Sequence, residues 1–346
     1  MPPPPPSALT LLLLLTTLLT PLLPSLGLLP VASAHSHLAY IIIEGQLYHG
    51  FDPRPNQQQQ QPAANPPSHV GWSTTAFDDG FVPPANYSTP DIICHVGGTA
   101  PPAHAPVRAG DRIHVQWNGW PVGHVGPVLS YLARCESETG CTGLMKGKGK
   151  EGLRWTKIDD SRPVMEVSVS GKGDTTDGGE GEGVPGQRWA TDVLIASNNS
   201  WLVAVPRGLQ TGAYVLRHEI IALHFAEREN GAQNYPLCMN LFVQGDDEAG
   251  GAGFEMDDFD ARGFYKADDP GILVNVTAGL QSTYVVPGPT VAVGASPVPY
   301  AQQSASVSRG VGTPVVVTRS TETVPFNEVA TPTGASRLIR GYDRRY

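Results

Sequence analysis

The chain has 346 residues, a formal net charge of −9 and only 16% charged residues. An acidic surface repels phosphate backbones, so nucleic acid is excluded as a partner. With 39 glycines and 33 prolines, many short strands joined by turns are expected rather than a helical bundle.

In chain order, the first feature is a leucine run from Leu11 to Leu29. Its length would span a membrane, but Pro21, Pro24 and Pro30 would break such a helix. Ala32-Ser33-Ala34 has the small-x-small form of a signal-peptidase site, although Met1 to Ser7 lacks the usual basic residue. The expectation is a cleaved signal peptide over 1–34, a secreted chain beginning at His35, and no membrane association. Asn86, Asn198 and Asn275 open N-x-S/T triplets and are glycosylation candidates on that route.

Alternating or β-branched stretches follow: "HLAYIII" (37–43), "DRIHVQW" (111–117), "VMEVSVS" (164–170), "SWLVAVP" (200–206), "GAYVLRHEIIALHF" (212–225) and "MNLFVQG" (239–245). None carries a 3.6-residue stripe, and strands separated by turn signals predict a β-sandwich. "RPNQQQQQPAANPP" (54–67) and "SGKGDTTDGGEGEGVPGQ" (170–187) read as polar loop insertions. From about Pro289 the chain turns Pro-, Ser-, Thr- and Val-rich and ends in "RLIRGYDRRY"; residues 291–346 are expected to be a disordered extension.

Four cysteines suit two disulfides, and three pairings are open. The short spacing of Cys135 and Cys141 suggests a local staple, which leaves Cys94 and Cys238 as a long-range bridge. Neither pair has zinc-knuckle or redox C-x-x-C spacing.

An amino-terminal histidine presents two nitrogens to one metal, its α-amine and its imidazole Nδ1. The α-amine has a pKa of about 8, so it is available near neutral pH. Such nitrogens suit Cu(II), and one further imidazole would complete a three-nitrogen site.

The start "HSHLAYIIIEGQLYHGFDP" resembles that of fungal lytic polysaccharide monooxygenases of auxiliary activity family 9. So do "VGWSTTAFDDGFV" (70–82), "STPDIICH" (88–95) and "APVRAGDRIHVQWNGWPVGHVGPVLSYLARC" (105–135). "WATDVLIASNNSWLVAVP" (189–206), "YVLRHEIIALHFAERENGAQNYPLCMNLFV" (214–243), "DPGILVNV" (269–276) and "STYVVPGP" (282–289) continue the likeness in the family's order. The resemblance implies an all-β, immunoglobulin-like or fibronectin-III-like antiparallel β-sandwich with long loops, its catalytic domain spanning 35–290. It implies one copper per chain, with His35 and His124 as nitrogen ligands and Tyr235 as the axial residue. His224 and Gln233 match the family's pair beside the metal, and Cys94 and Cys238 match its long-range bridge. Where the family usually has a histidine after His124, this chain has Val125. Tyr284 matches a surface tyrosine that would stack on substrate, with Tyr48 and Phe51 as weaker candidates.

The implied activity is oxidative cleavage of β-1,4-glucan, cellulose with hemicellulose left open, by a monomeric enzyme that uses an external electron donor and O2 or hydrogen peroxide. Oxidation at carbon 1 or carbon 4 is not legible. A glycoside hydrolase would need a flanking carboxylate pair, and nothing marks one among Glu219, Glu227, Asp159 and Asp160. The alternative from another class is a non-catalytic, secreted carbohydrate-binding β-sandwich.

Overall fold

The structure is a computed structural model and describes residues 36–54, 67–136, 139–146, 149–161, 164–165, 187–245, 253–277, 284–298 and 308–318. The expected signal peptide, His35, most of both polar insertions and the last 28 residues lie outside them.

The strands are β1 (Leu38–Ile43), β2 (Gln46–His49), β3 (Ala103–Arg108), β4 (Arg112–Trp117), β5 (Val128–Arg134), β6 (Trp155–Ser161) and β7 (Val164–Met165). They continue with β8 (Gln187–Arg188), β9 (Ser200–Ala204), β10 (Gly212–Ala222), β11 (Gln233–Gln244), β12 (Gly310–Val311) and β13 (Val315–Val316). Two short helices, α1 (Asp91–Cys94) and α2 (Ala190–Ala196), interrupt them. One sheet has the order β12-β2-β1-β4-β9 and the other β13-β3-β11-β10-β5-β6; β7 and β8 pair separately. The β-sandwich expected from the sequence is therefore present. Pairing is antiparallel except for β3 with β11 and β12 with β2, which run parallel.

Local chemistry sets these elements. β1 and β2 are joined by Glu44-Gly45, both at positive φ (48° and 82°), the two-residue turn whose twist matches that of a hairpin. β10 and β11 pair over eleven residues, from Gly212↔Val243 to Ala222↔Gln233. Their side chains alternate between two cores. Tyr214, Leu216 and Ile220 of β10, with Tyr235, Leu237, Met239 and Leu241 of β11, face the other sheet, where Ile41, Val115 and Trp117 meet them. Ala213, Val215 and Ile221 face the opposite way, into a second core with Ile92, Tyr87, Phe264 and Ile272. Each fully buried Val, Leu or Ile contributes about 1.5–3 kcal/mol.

The second core contains charge. Arg217, fully buried, donates to the carbonyls of Ile92 and Ile93 at the end of α1 and to Glu219 Oε2 at 2.7 Å. Glu219 also accepts from Asn234 (2.7 Å) and Tyr265 (2.5 Å). The pair is satisfied on every side, which is the condition for tolerating a buried ion pair. The Cys94–Cys238 disulfide ties α1 to β11 beside it, and Cys135–Cys141 closes a six-residue separation, so both pairings suggested by the sequence are present.

The extension departs from expectation in part. Residues 308–318 are not free chain: β12 adds to β2 and β13 to β3, one on each sheet. Both β2 and β3 would otherwise be edges with unpaired backbone groups. Arg309 N donates to Gly45 O (2.7 Å) and Gly312 N to Leu47 O (2.8 Å), so backbone pairing holds this segment irrespective of its composition. Among the described residues no helix is long and apolar enough to cross a membrane.

Candidate metal centre

Five strand ends converge at one end of the sandwich. β1 begins where β4 finishes, with Leu38 opposite Trp117, and β5 begins where β10 finishes and β11 begins. The segment 118–127, leaving β4 for β5, crosses this end and carries His124. The turn from β10 to β11 carries His224, and Gln233 and Tyr235 open β11.

His124 is held by its neighbours. Trp120 Nε1 donates to the His124 carbonyl at 2.8 Å, and Leu223 N donates to the Val125 carbonyl at 2.8 Å. Gly126 N donates to Thr191 Oγ1 at 3.1 Å, and Thr191 N donates back to Gly126 O at 3.3 Å. Only glycine permits this approach: a Cβ on Gly126 would lie 1.8 Å from the Ile221 carbonyl oxygen. The clamp brings the His124 and His224 rings to 3.8 Å between centroids.

Both rings are half-buried, and the Nδ1 of His224 is buried with no hydrogen-bond partner among the described residues. Burial, reinforced by His124, lowers the His224 pKa to about 4, so this imidazole is neutral at ordinary pH. Tyr235 is fully buried, stands edge-on to Trp120 with ring centroids 5.1 Å apart, and donates its phenol proton to Gln233 Oε1 at 2.9 Å. Burial, with Asp78 and Asp79 nearby, holds its pKa well above that of an ordinary tyrosine, so the phenol stays protonated. Gln233 and Tyr235 share a face of β11, as two residues apart on a strand must. The structure thus brings together His124, His224, Gln233 and Tyr235, with Trp120 as the ring that joins the histidine to the tyrosine.

Ser36, which follows His35 in the chain, hydrogen-bonds through its hydroxyl to Asn118 Oδ1 (2.6 Å) and the Gly119 carbonyl. His37 N donates to Asn118 Oδ1 at 3.0 Å, and Asn118 N donates to His37 O at 3.1 Å. The strand leaving this point is fixed on the loop that leads through Trp120 to His124.

Tyr284, the expected stacking residue, lies against Trp189. It is half-buried, its hydroxyl donates to Gly271 O at 2.9 Å, and its ring stands edge-on to Trp189 at 5.0 Å. That geometry is a packing contact. Tyr48 and Phe51, the weaker candidates, are buried, because β2 and the loop after it pack inward. Asn198 and Asn275 are exposed and Asn86 is half-exposed. His218, six residues before His224, is buried against Ser130 Oγ at 3.0 Å, a structural position.

The sequence alone leaves His37, two residues after His35, as a structural histidine, and the structure sets it in a cluster with two carboxylates. Its Nδ1 lies 2.9 Å from Asp79 Oδ1 and its Nε2 3.8 Å from Asp52 Oδ1, and Arg54 pairs with Asp52 at 2.6 Å. These three acidic and histidine groups bring ligand-type atoms within 4.8 Å of one another, but His37 is already flanked by carboxylates that Arg54 helps to neutralise.

The family model described as Auxiliary Activity family 9 (formerly GH61) matches residues 35–284. The AA9 family lytic polysaccharide monooxygenase A of Talaromyces verruculosus is 42% identical over 271 residues, 78% of this chain and 73% of its own. The AA9 family lytic polysaccharide monooxygenase H of Thermothelomyces thermophilus is 41% identical over 290 residues, 83% of this chain and 73% of its own. Among solved structures, the extended catalytic domain of H. jecorina LPMO9A superposes with a TM-score of 0.65 at 39% identity, covering 82% of this chain and all of that one. With its sandwich, its paired histidines and a family match over most of its length, this chain belongs to auxiliary activity family 9, a metal-dependent family.

Proposed function

We propose that the chain is a secreted, monomeric, copper-dependent lytic polysaccharide monooxygenase that cleaves β-1,4-glucan oxidatively, drawing electrons from an external reductant. The observation that carries the metal reading is the close pair of imidazoles, His124 and His224, 3.8 Å between centroids, with the His224 Nδ1 left without a hydrogen-bond partner among the described residues. Such a donor set of neutral nitrogens and a phenol fits a copper site and not a calcium or magnesium one. His124 would hold the metal through its imidazole, and the Tyr235 phenol would be the oxygen group of the set. His35 would supply its amine and imidazole; the Ser36 anchor at Asn118 and a family match that begins at residue 35 support that assignment.

When bound, copper supplies the one-electron chemistry by which O2 or hydrogen peroxide oxidises a C–H bond next to the glycosidic oxygen. The rest is the work of side chains. Trp120 fixes the His124 loop through its carbonyl, so the imidazole is oriented before any ligand arrives. Gln233 accepts the hydrogen bond of the Tyr235 hydroxyl and so fixes where the phenol points. His224, 3.8 Å from His124 between ring centroids, offers a neutral imidazole that can hydrogen-bond a group held beside the site. Cleavage ahead of His35, and glycans at Asn198 and Asn275, belong to the same secreted reading.

The test is copper titration and product analysis on secreted protein. His124→Ala should abolish tight copper binding and release of oxidised sugars while leaving the unfolding transition of the metal-free protein in place. Unchanged copper affinity would overturn the assignment.

A further inference from the structure

Phe225 follows His224 directly, and its ring lies 4.3 Å from that imidazole, tilted by 53°. It is 49% exposed, which is unusual for a phenylalanine on an otherwise charged turn, "HFAEREN". The turn is rigid. Ala226 N donates to Leu223 O (2.9 Å), Arg228 N to Phe225 O (3.2 Å) and Gly231 N to Arg228 O (3.0 Å), while Val274 N ties Ala226 O to the neighbouring segment at 2.8 Å. The exposed ring therefore stays where it is instead of collapsing onto the core. Arg228 places its guanidinium 5.8 Å from the ring centroid and is itself paired with Glu227 at 3.1 Å. The His224 imidazole thus lies directly beside an exposed aromatic ring that has a cation and a carboxylate next to it.

We propose that Phe225 is the aromatic platform on which a sugar ring of the polysaccharide stacks beside the metal centre, with Arg228 and Glu227 as hydroxyl-binding groups at its rim. The chemistry matches the ligand. One face of a β-linked glucose ring presents axial C–H bonds that pack on an aromatic face, and its equatorial hydroxyls point outward to donors and acceptors such as a guanidinium and a carboxylate. A flat, extended polymer is held best by a ring fixed at the surface, because little side-chain entropy is lost on contact. Continuity with the histidine pair distinguishes this ring from Tyr284, which packs against Trp189. The inference rests on the functional reading above and names the residue that positions its substrate.

The experiment uses the copper-loaded full secreted chain with insoluble cellulose as the probe. Wild type, Phe225→Ala and Phe225→Trp are compared for cellulose binding by depletion, for copper affinity by titration, and for soluble oxidised products with ascorbate as reductant. Phe225→Ala should weaken binding roughly fivefold, about 1 kcal/mol, at unchanged copper affinity, and Phe225→Trp should retain or tighten it. An exposed side chain makes few core contacts, so the unfolding midpoint of each variant should match wild type. Equal binding by wild type and Phe225→Ala overturns the platform, and so does a loss of copper affinity that accounts for the whole effect. Absence of oxidised products from wild type would instead overturn the functional reading, and is distinguishable because it does not depend on the variants.

Discussion

Replacing Gly126 by alanine is the sharpest probe of how this fold holds its histidines. The backbone of Gly126 is not in the left-handed region, so alanine can adopt it, and the effect reports contact alone. The new Cβ would meet the Ile221 carbonyl oxygen at 1.8 Å, and a retreat of about 1.2 Å is needed to reach the 3.0 Å that real Cβ contacts respect. That movement separates the start of β5 from the end of β10. It would stretch the Leu223 N to Val125 O bond, now 2.8 Å, beyond hydrogen-bonding range, and strain the reciprocal bonds between Gly126 and Thr191. Overpacking costs about 1–3 kcal/mol and each lost backbone bond about 0.5–1.5 kcal/mol, so a total of about 2–4 kcal/mol is expected. For a domain of this size that lowers the melting temperature of the metal-free protein by roughly 5–12 °C. Because the same bonds set the 3.8 Å spacing of His124 and His224, copper affinity should fall by about 10- to 100-fold, the usual effect of disturbing the groups that orient a ligand. Calorimetric melting and copper titration on one preparation measure both. A Gly126→Ala protein that melts within a degree of wild type and binds copper equally would refute the clamp.

Two further outcomes follow from the buried groups. Glu219→Gln leaves Arg217 buried without its counter-charge and should cost about 3–5 kcal/mol in denaturant unfolding; a cost below about 1 kcal/mol would mean that the two carbonyls of α1 suffice for Arg217. His95, His104 and His218 are buried neutral, with burial pushing their pKa values down to about 4, about 4 and about 3. The unfolded chain titrates its histidines at about 6.5, so stability is intact above that pH and is lost as pH falls from about 6.5 towards 4. A denaturant midpoint that stays flat between pH 7 and pH 5 would contradict this.

The sandwich was legible where strands alternate or run β-branched: β1, β4, β9 and β10 lie within stretches that read as strands, and β11 does so only over its second half, from Met239. β3, β5 and β6 were harder. β3 pairs in parallel with β11, so no hairpin turn announces it. β5 is buried on both faces and reads as an apolar run without period. Arg217 and Glu219 interrupt β10 with charges that alternation alone would place in water; a second core covers that face instead. At the site, Gln233 and Tyr235 were predictable as neighbours because two residues on a strand share a face. The contact of His124 with His224 joins positions 100 residues apart, and only the resemblance, not any local pattern, pointed to it. Composition misled at 308–318, where backbone pairing needs no particular side chains.

That last segment changes where this domain ends in practice. A protein trimmed at residue 290, as the motif likeness alone would suggest, would present β2 and β3 as two bare sheet margins on one molecule. Each could then recruit the matching margin of another copy, and chains with two such margins can polymerise where chains with one can only dimerise. Recombinant forms should therefore extend through Thr318, and a shortened form that precipitates in storage would be reporting its missing β12 and β13 rather than a defect in its metal site.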